Sequence, residues 1–185
     1  MELNDIDLVT LAKAARSSAA FETLVRRHQA PLRAFLIRMT GDAALADDLA
    51  QEALIKAYRG LEGFRGGSSF RSWLFSIAMR EVLMAKRKDA ADRKLAAASG
   101  GEENRAEPEE FSLDLQRALA GLASEERAAI LLCDAAGFSH AEAASVLGAP
   151  LGTIKTHVAR ARDKMKTALQ VNSNSDIAAA PAACA

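Results

Sequence analysis

Between Phe21 and Met39, the residues Phe21, Leu24, Val25, His28, Leu32, Phe35, Leu36 and Met39 recur three or four positions apart and fall on one stripe of a 3.6-residue repeat. Such a stripe demands a long helix buried along one face, with Pro31 permitting a bend. No window alternates apolar and polar residues long enough to suggest a strand, and only four prolines interrupt 185 residues, so the expected fold class is all-α. With 50% of its residues apolar, the chain can bury one or two modest cores, which suits two small helical domains rather than a large multidomain enzyme.

Punctuation along the chain divides it. Gly41-Asp42 opens a second helix reaching about Gly60, GFRGGSS at 63–69 is a glycine-rich loop, and a third helix runs from near Ser69 to about Lys88. Residues 89–111 are small, acidic and glycine-containing with no apolar stripe, and read as linker with a frayed helix at the start. The organisation is therefore a domain over 1–90, a flexible acidic linker over 91–111, a second domain over 112–170 and a disordered tail over 171–185. The second domain breaks into helices near 112–121, 124–136, 139–147 and 151–169, with Ser139 and Glu142 at capping-box spacing and Gly148 where a helix stops. The 24 basic and 24 acidic side chains balance overall, but by segment they give two weakly basic domains around an acidic strap.

Several classes are excluded. No apolar run approaches the roughly 20 residues that span a bilayer, and the N-terminal segment lacks a basic stretch followed by an apolar block, so a cytoplasmic location without membrane insertion is expected. Cys133 and Cys184 lack CxxC spacing and do not combine with the three histidines into a zinc-like set, so neither metal nor cofactor is expected. His28 lies on the apolar stripe and reads as a satisfied core histidine. No Walker loop, HExxH motif or nucleophile-base spacing is present, and the chain is not expected to be an enzyme.

The segments with chemistry point to nucleic acid and to a protein partner. Ser139–Met165 has the spacing of a helix-turn-helix. On its second helix Ile154, Val158, Ala161, Met165 and Leu169 share a packing face, Thr156, Ala159, Arg160 and Asp163 lie opposite, and Lys155, Arg162 and Lys166 flank them. Gly152 and Thr153 permit close approach of the helix start to phosphate. The 42–60 helix packs through Ala46, Ala50, Ala53 and Ala57, while Asp48, Gln51, Glu52 and Arg59 cluster elsewhere with Ile55 among them, a pattern shared by docking faces and by ordinary solvated ones. On the third helix, aromatics Phe70, Trp73 and Phe75 interleave with Arg71, Arg80 and the basic run Lys86, Arg87 and Lys88. With the loop residues Phe64, Arg65, Ser68 and Ser69, this combination can hold an unstacked base and its phosphates. Trp73 and Ile77 are more readily core.

Asp42-Ala-Ala-Leu-Ala-Asp-Asp-Leu-Ala-Gln-Glu52, then Phe70-Arg-Ser-Trp-Leu-Phe-Ser-Ile-Ala78, then Glu125-Glu-Arg-Ala-Ala-Ile-Leu-Leu132, and Gly152-Thr-Ile-Lys-Thr156 with Arg160-Ala-Arg162 resemble bacterial sigma factors of the extracytoplasmic-function type. The resemblance covers about Phe21 to Leu169, with motifs in order and a linker where that family has one. It implies that residues 1–90 dock on the clamp of core RNA polymerase and open the −10 promoter element, and that 112–170 bind the −35 element. It implies a clamp-binding role for Asp48, Gln51, Glu52 and Ile55. Phe64, Arg65, Ser68 and Ser69 match the loop that captures a flipped −10 base, and Arg71, Arg80, Lys86, Arg87 and Lys88 the adjoining −10 contacts. Thr153, Lys155, Thr156, His157, Arg160, Arg162, Lys164 and Lys166 fall in the −35 reading helix. An anti-sigma factor is the further partner implied. Arg80 stands where the family usually has Asn and His157 where it often has Arg, so the promoter sequence does not carry over. Gly152-Thr-Ile-Lys-Thr-His-Val158 is also close to the recognition helix of LuxR-type regulators, which bind DNA without acting as polymerase subunits. The absence of a βα receiver pattern in 1–90 argues against that alternative.

Overall fold

The computed structural model describes residues 3–15, 17–96 and 113–178, so most of the expected linker, residues 97–111, and Cys184 lie outside the described residues. The described chain is all-α, eight helices in two lobes with no strand among them.

Capping chemistry sets the starts of the first three helices. Asn4, Ser17 and Asp42 each accept a backbone N–H from three residues ahead, which satisfies a donor that the first turn leaves open. They begin α1 (Asp5–Ala14), α2 (Ser18–Thr40) and α3 (Ala43–Gly60). Gly41, at φ 76°, ends α2 in the left-handed conformation that glycine adopts without a Cβ penalty. Pro31 does not divide α2. It sits on the exposed side, where the carbonyl deprived of its helical partner faces water. A 3₁₀ turn (Leu61–Gly63) and the 63–69 loop lead into α4 (Phe70–Ala96).

The first core is made by Leu24, Leu32, Leu36 and Met39 of α2, Ala46, Ala53 and Ala57 of α3, and Leu74, Phe75 and Val82 of α4, all essentially inaccessible. The alanines let α3 lie close on α2. His28 is buried as the stripe requires, and its Nε2 lies 2.7 Å from Asp5 of α1. Ile77 is buried and Trp73 half-buried, consistent with a core role.

In the second lobe α5 (Leu113–Ala120) is followed by α6 (Ser124–Ile130), a π-helical segment (Leu131–Ala135), α7 (His140–Leu147) and α8 (Leu151–Ala178). Ser139 and Glu142 close a reciprocal capping box, and Gly148 at φ 62° makes the turn after α7. Ile154, Val158 and Ala161 of α8 bury against Ala129, Leu132 and Ala143. Leu169, expected on this face, is 36% exposed. Both α4 and α8 run past the points, near 88 and 170, where their apolar patterns fade.

The two lobes touch. α4 packs on α7, and α2 on the π segment. Phe138 is buried with its ring centroid 5.0 Å from that of Phe75, and the Arg71 guanidinium lies 4.1 Å over the Phe138 ring. Arg71 also donates to the Ala136 carbonyl. Arg127 donates to the Met39 carbonyl at 3.2 Å, and Lys86 to the Ser124 hydroxyl at 2.7 Å. Desolvation of the Lys86 ammonium, followed by repulsion from Arg127, lowers its pKa from the ordinary lysine value.

Candidate protein and nucleic-acid interfaces

On α3, Asp48, Gln51 and Glu52 are exposed and Ile55 is half-buried, all on the side turned from the alanine stripe. Ile55 is not an isolated apolar residue. With Leu54, Tyr58, Phe21, Ala30 and Ala50 it lines an open groove of about 880 Å³ between α2 and α3, rimmed by Gln29, Arg33, Gln51 and Arg59. Tyr58 is 57% exposed, held by the edge of Phe21 at a centroid distance of 5.0 Å. An apolar trough with amide and charged rims suits an anchored protein contact. Leu54 and Tyr58 were not singled out as site residues from sequence, and Phe21 was placed only on the apolar stripe of α2. The spacing of Leu54 and Tyr58 beside Ile55 was the available signal.

The loop that precedes α4 is pinned at both ends. Phe64 is half-buried, its ring 4.9 Å from Trp73 and edge-on to Phe70 at 6.3 Å, so the ring supports the loop from below instead of standing free to meet a base. Ser69 is likewise engaged. Its Oγ accepts the Ser72 N–H at 3.1 Å and donates to the Ser72 hydroxyl at 2.9 Å, which caps α4. Arg65, Gly66 and Gly67 are exposed and Ser68 half-exposed, with Gly66 at φ 73°. With Ser69, which is exposed although its hydroxyl caps α4, these four residues are the accessible part of the expected base-capturing loop.

Of the basic residues assigned to the same surface, Arg80, Arg87 and Lys88 are exposed, Arg80 folding back to the Ser76 carbonyl and hydroxyl at 3.2 Å. Lys86 is exposed as well but donates across the lobe contact, and the half-buried Arg71 is engaged there.

On α8, Thr156 and Arg160 share an exposed face as the periodicity requires, Thr153 and Lys155 are also exposed, and Thr156 donates to the Gly152 carbonyl at 2.9 Å. Three other expected contacts are placed differently. Arg162 forms a two-pronged pair with Asp134 at 2.6 and 2.8 Å, and Lys164 reaches Glu126 at 2.7 Å. His157, which the resemblance places in the −35 reading helix, is half-buried on the Glu126 side, with Nδ1 enclosed and without a hydrogen-bond partner. The ion pairs leave their mark on the carboxylates. The Arg162 bond holds Asp134 below its ordinary pKa, the Lys164 bond does the same for the enclosed Glu126, and the backbone and hydroxyl of Ser139 lower Glu142. Lys155, Arg160 and Lys166 make no ion pair with a described residue and present their charge outward. Among the described residues no His, Cys, Asp and Glu cluster could hold a metal ion, and no helix is long and apolar enough to cross a membrane.

Two family models match this chain, sigma-70 region 2 over residues 24–91 and sigma-70 region 4 over residues 112–165. It is 37% identical over 153 residues to the extracytoplasmic-function RNA polymerase sigma factor EcfG of Rhodopseudomonas palustris, covering 78% of this chain and 82% of that one. To the RNA polymerase sigma-H factor of Pseudomonas aeruginosa it is 31% identical over 167 residues, covering 82% and 86%. Among solved structures, the sigma factor RpoE of Bartonella quintana, in complex with the anti-sigma factor NepR, superposes with a TM-score of 0.73 at 32% identity, covering 82% of this chain and 97% of that one. These matches extend through both lobes, so the likeness of α8 to a LuxR-type recognition helix does not reach beyond that helix. The chain belongs to the extracytoplasmic-function sigma factors of the sigma-70 family, the RNA polymerase subunits that direct promoter-specific initiation of transcription.

Proposed function

We propose that the α2/α3 groove, with Asp48, Gln51, Glu52 and Ile55 at its border, is the surface that docks on the clamp of core polymerase. The observation that carries this reading is the open apolar trough beside an acidic and amide-rich helix face. The first lobe engages the −10 element: Arg65 to Ser68 receive an unstacked base, Phe64 and Ser69 hold the loop that does so, and Arg71, Arg80, Lys86, Arg87 and Lys88 follow the strand. In the second lobe, Lys155, Thr156 and Arg160 read the −35 major groove and Lys166 lies on phosphate. The domain division at 1–90, 91–111 and 112–170 follows from these roles. The protein acts in the cytoplasm as a non-enzymatic subunit. An anti-sigma factor controls it, as the complex of the Bartonella relative with NepR supports.

The test is transcription from fragmented genomic DNA of the source organism by core polymerase with and without the purified protein, with start sites mapped. New starts sharing one −35 and one −10 motif are expected. Starts that depend on a second sigma factor would refute the polymerase-subunit role. The anti-sigma partner is checked by pull-down from unstressed cells, where recovery of the free protein alone would remove it.

A further inference from the structure

We infer that Lys13, on a helix that precedes the region 2 match, is a positioning residue for the −10 loop. The inference rests on the reading of the 63–69 loop as the element that receives an unstacked base. α1 is fixed along its length. At its start Asp5 pairs with Arg27 at 2.5 Å and with His28 at 2.7 Å, and in its middle Leu8, Val9 and Ala12 are buried. At its end the half-buried Lys13 ammonium donates to the Phe64 carbonyl at 2.9 Å, across 51 residues of sequence.

That carbonyl is the last backbone group before the accessible residues of the loop. The Phe64 N–H is already bonded to the Leu61 carbonyl at 3.0 Å and the ring rests on Trp73, so Lys13 supplies the third restraint on this residue. With Ser69 fixed as the cap of α4, residues 65–68 hang between two anchored ends. A loop held in its binding shape loses less conformational freedom when it closes on a strand. Releasing the Phe64 carbonyl frees one end.

Holoenzyme made with Lys13→Met keeps the side-chain length and loses the donor. Its affinity is measured against the strand that wild-type holoenzyme selects from a random single-stranded DNA pool, over a range of salt. The expected result is an affinity about tenfold weaker, the usual consequence of losing one hydrogen bond from a charged donor. Core polymerase affinity should be unchanged, and Lys13→Arg, which can still donate, should recover most of the loss. The salt slope separates positioning from contact. An unchanged slope supports the inference, whereas a slope lowered by about one would make Lys13 a phosphate contact and overturn it. Gly66→Val, which strains the loop at φ 73°, tests the reading underneath. If Gly66→Val is impaired and Lys13→Met binds as wild type, the positioning role falls alone. Wild-type binding by Gly66→Val removes the loop assignment and the inference with it.

Discussion

Arg71→Ala should separate the two lobes. The side chain contributes two interactions to the contact: a guanidinium stacked 4.1 Å over Phe138 and a hydrogen bond to the Ala136 carbonyl. In a half-buried site the stack contributes about 0.5–2 kcal/mol and a charge-assisted hydrogen bond about 1.5–3 kcal/mol. Water can reach the half-buried Ala136 carbonyl once the donor is gone, so the lower end of the sum applies, about 2 kcal/mol. That lowers the ratio of docked to undocked molecules about 30-fold. Dyes on Ala44→Cys and Ser145→Cys, with Cys133 and Cys184 changed to serine, report the lobe separation by energy transfer. The substitution should reduce transfer while far-UV circular dichroism stays constant, because Arg71 belongs to neither core. Arg71→Lys should fall between, since an ammonium keeps the charge but not the planar stack. Unchanged transfer in Arg71→Ala would refute a role for this side chain in docking.

Ile55→Ala combined with Asp48→Lys should weaken core polymerase binding by a few kcal/mol in a fluorescence titration, as loss of a buried anchor with a rim charge reversal does, while leaving −35 binding by the second lobe intact. Arg160→Ala should cost about 1–3 kcal/mol and relax preference at one −35 position, whereas Lys166→Ala should weaken all sequences alike and lower the salt slope by about one. Asp134, Glu126 and Glu142 have folded pKa values below their unfolded ones, so the stability they contribute is complete above about pH 5 and is lost as pH falls through the depressed values. Thermal unfolding followed from about pH 6 to about pH 2.5 should show that decline, and Arg162→Ala should flatten the part due to Asp134.

Local signals in the sequence were sufficient for most helix starts and stops, because a cap is chemistry within four residues: Gly41-Asp42, Ser139 with Glu142, and Gly148 all act as read. The far ends of α4 and α8 were not legible. The last turns of α4 carry no apolar stripe, yet their alanine, lysine and arginine continue a helix on intrinsic propensity. The last turns of α8 are rich in asparagine and serine and carry no helix signal that could have been read. Non-local pairs were beyond reach for a different reason. His28 was recognisable as a core histidine from its place on the stripe, but its partner Asp5 stands 23 residues away. Nothing near Arg71 or Lys86 signals a partner 65 or 38 residues distant. The same limit affected the candidate sites: the resemblance placed Arg162, Lys164 and His157 together on the −35 reading helix, but only packing against α6 and the π segment decides which of them remain outside.

Charge placement links the lobe contact to nucleic-acid binding. With equal numbers of basic and acidic side chains, the chain has little net attraction for a polyanion, and its affinity must come from cations that face outward. In the docked arrangement Arg71, Lys86 and Arg127 lie at the contact between lobes, and Arg162 and Lys164 are paired within the second lobe. In that arrangement Arg71 is turned onto the Phe138 ring and the Ala136 carbonyl, and the exposed Lys86 ammonium gives one of its three N–H groups to Ser124. Separation of the lobes therefore does two things together. It uncovers the α4 surface beneath α7, and it releases Arg71 and the Lys86 donor held by Ser124 toward the strand proposed to pass along it. On the proposed −10 role of Arg71, docking of the second lobe opposes strand binding by the first, and any partner that favours one arrangement shifts the other in proportion to its preference between them.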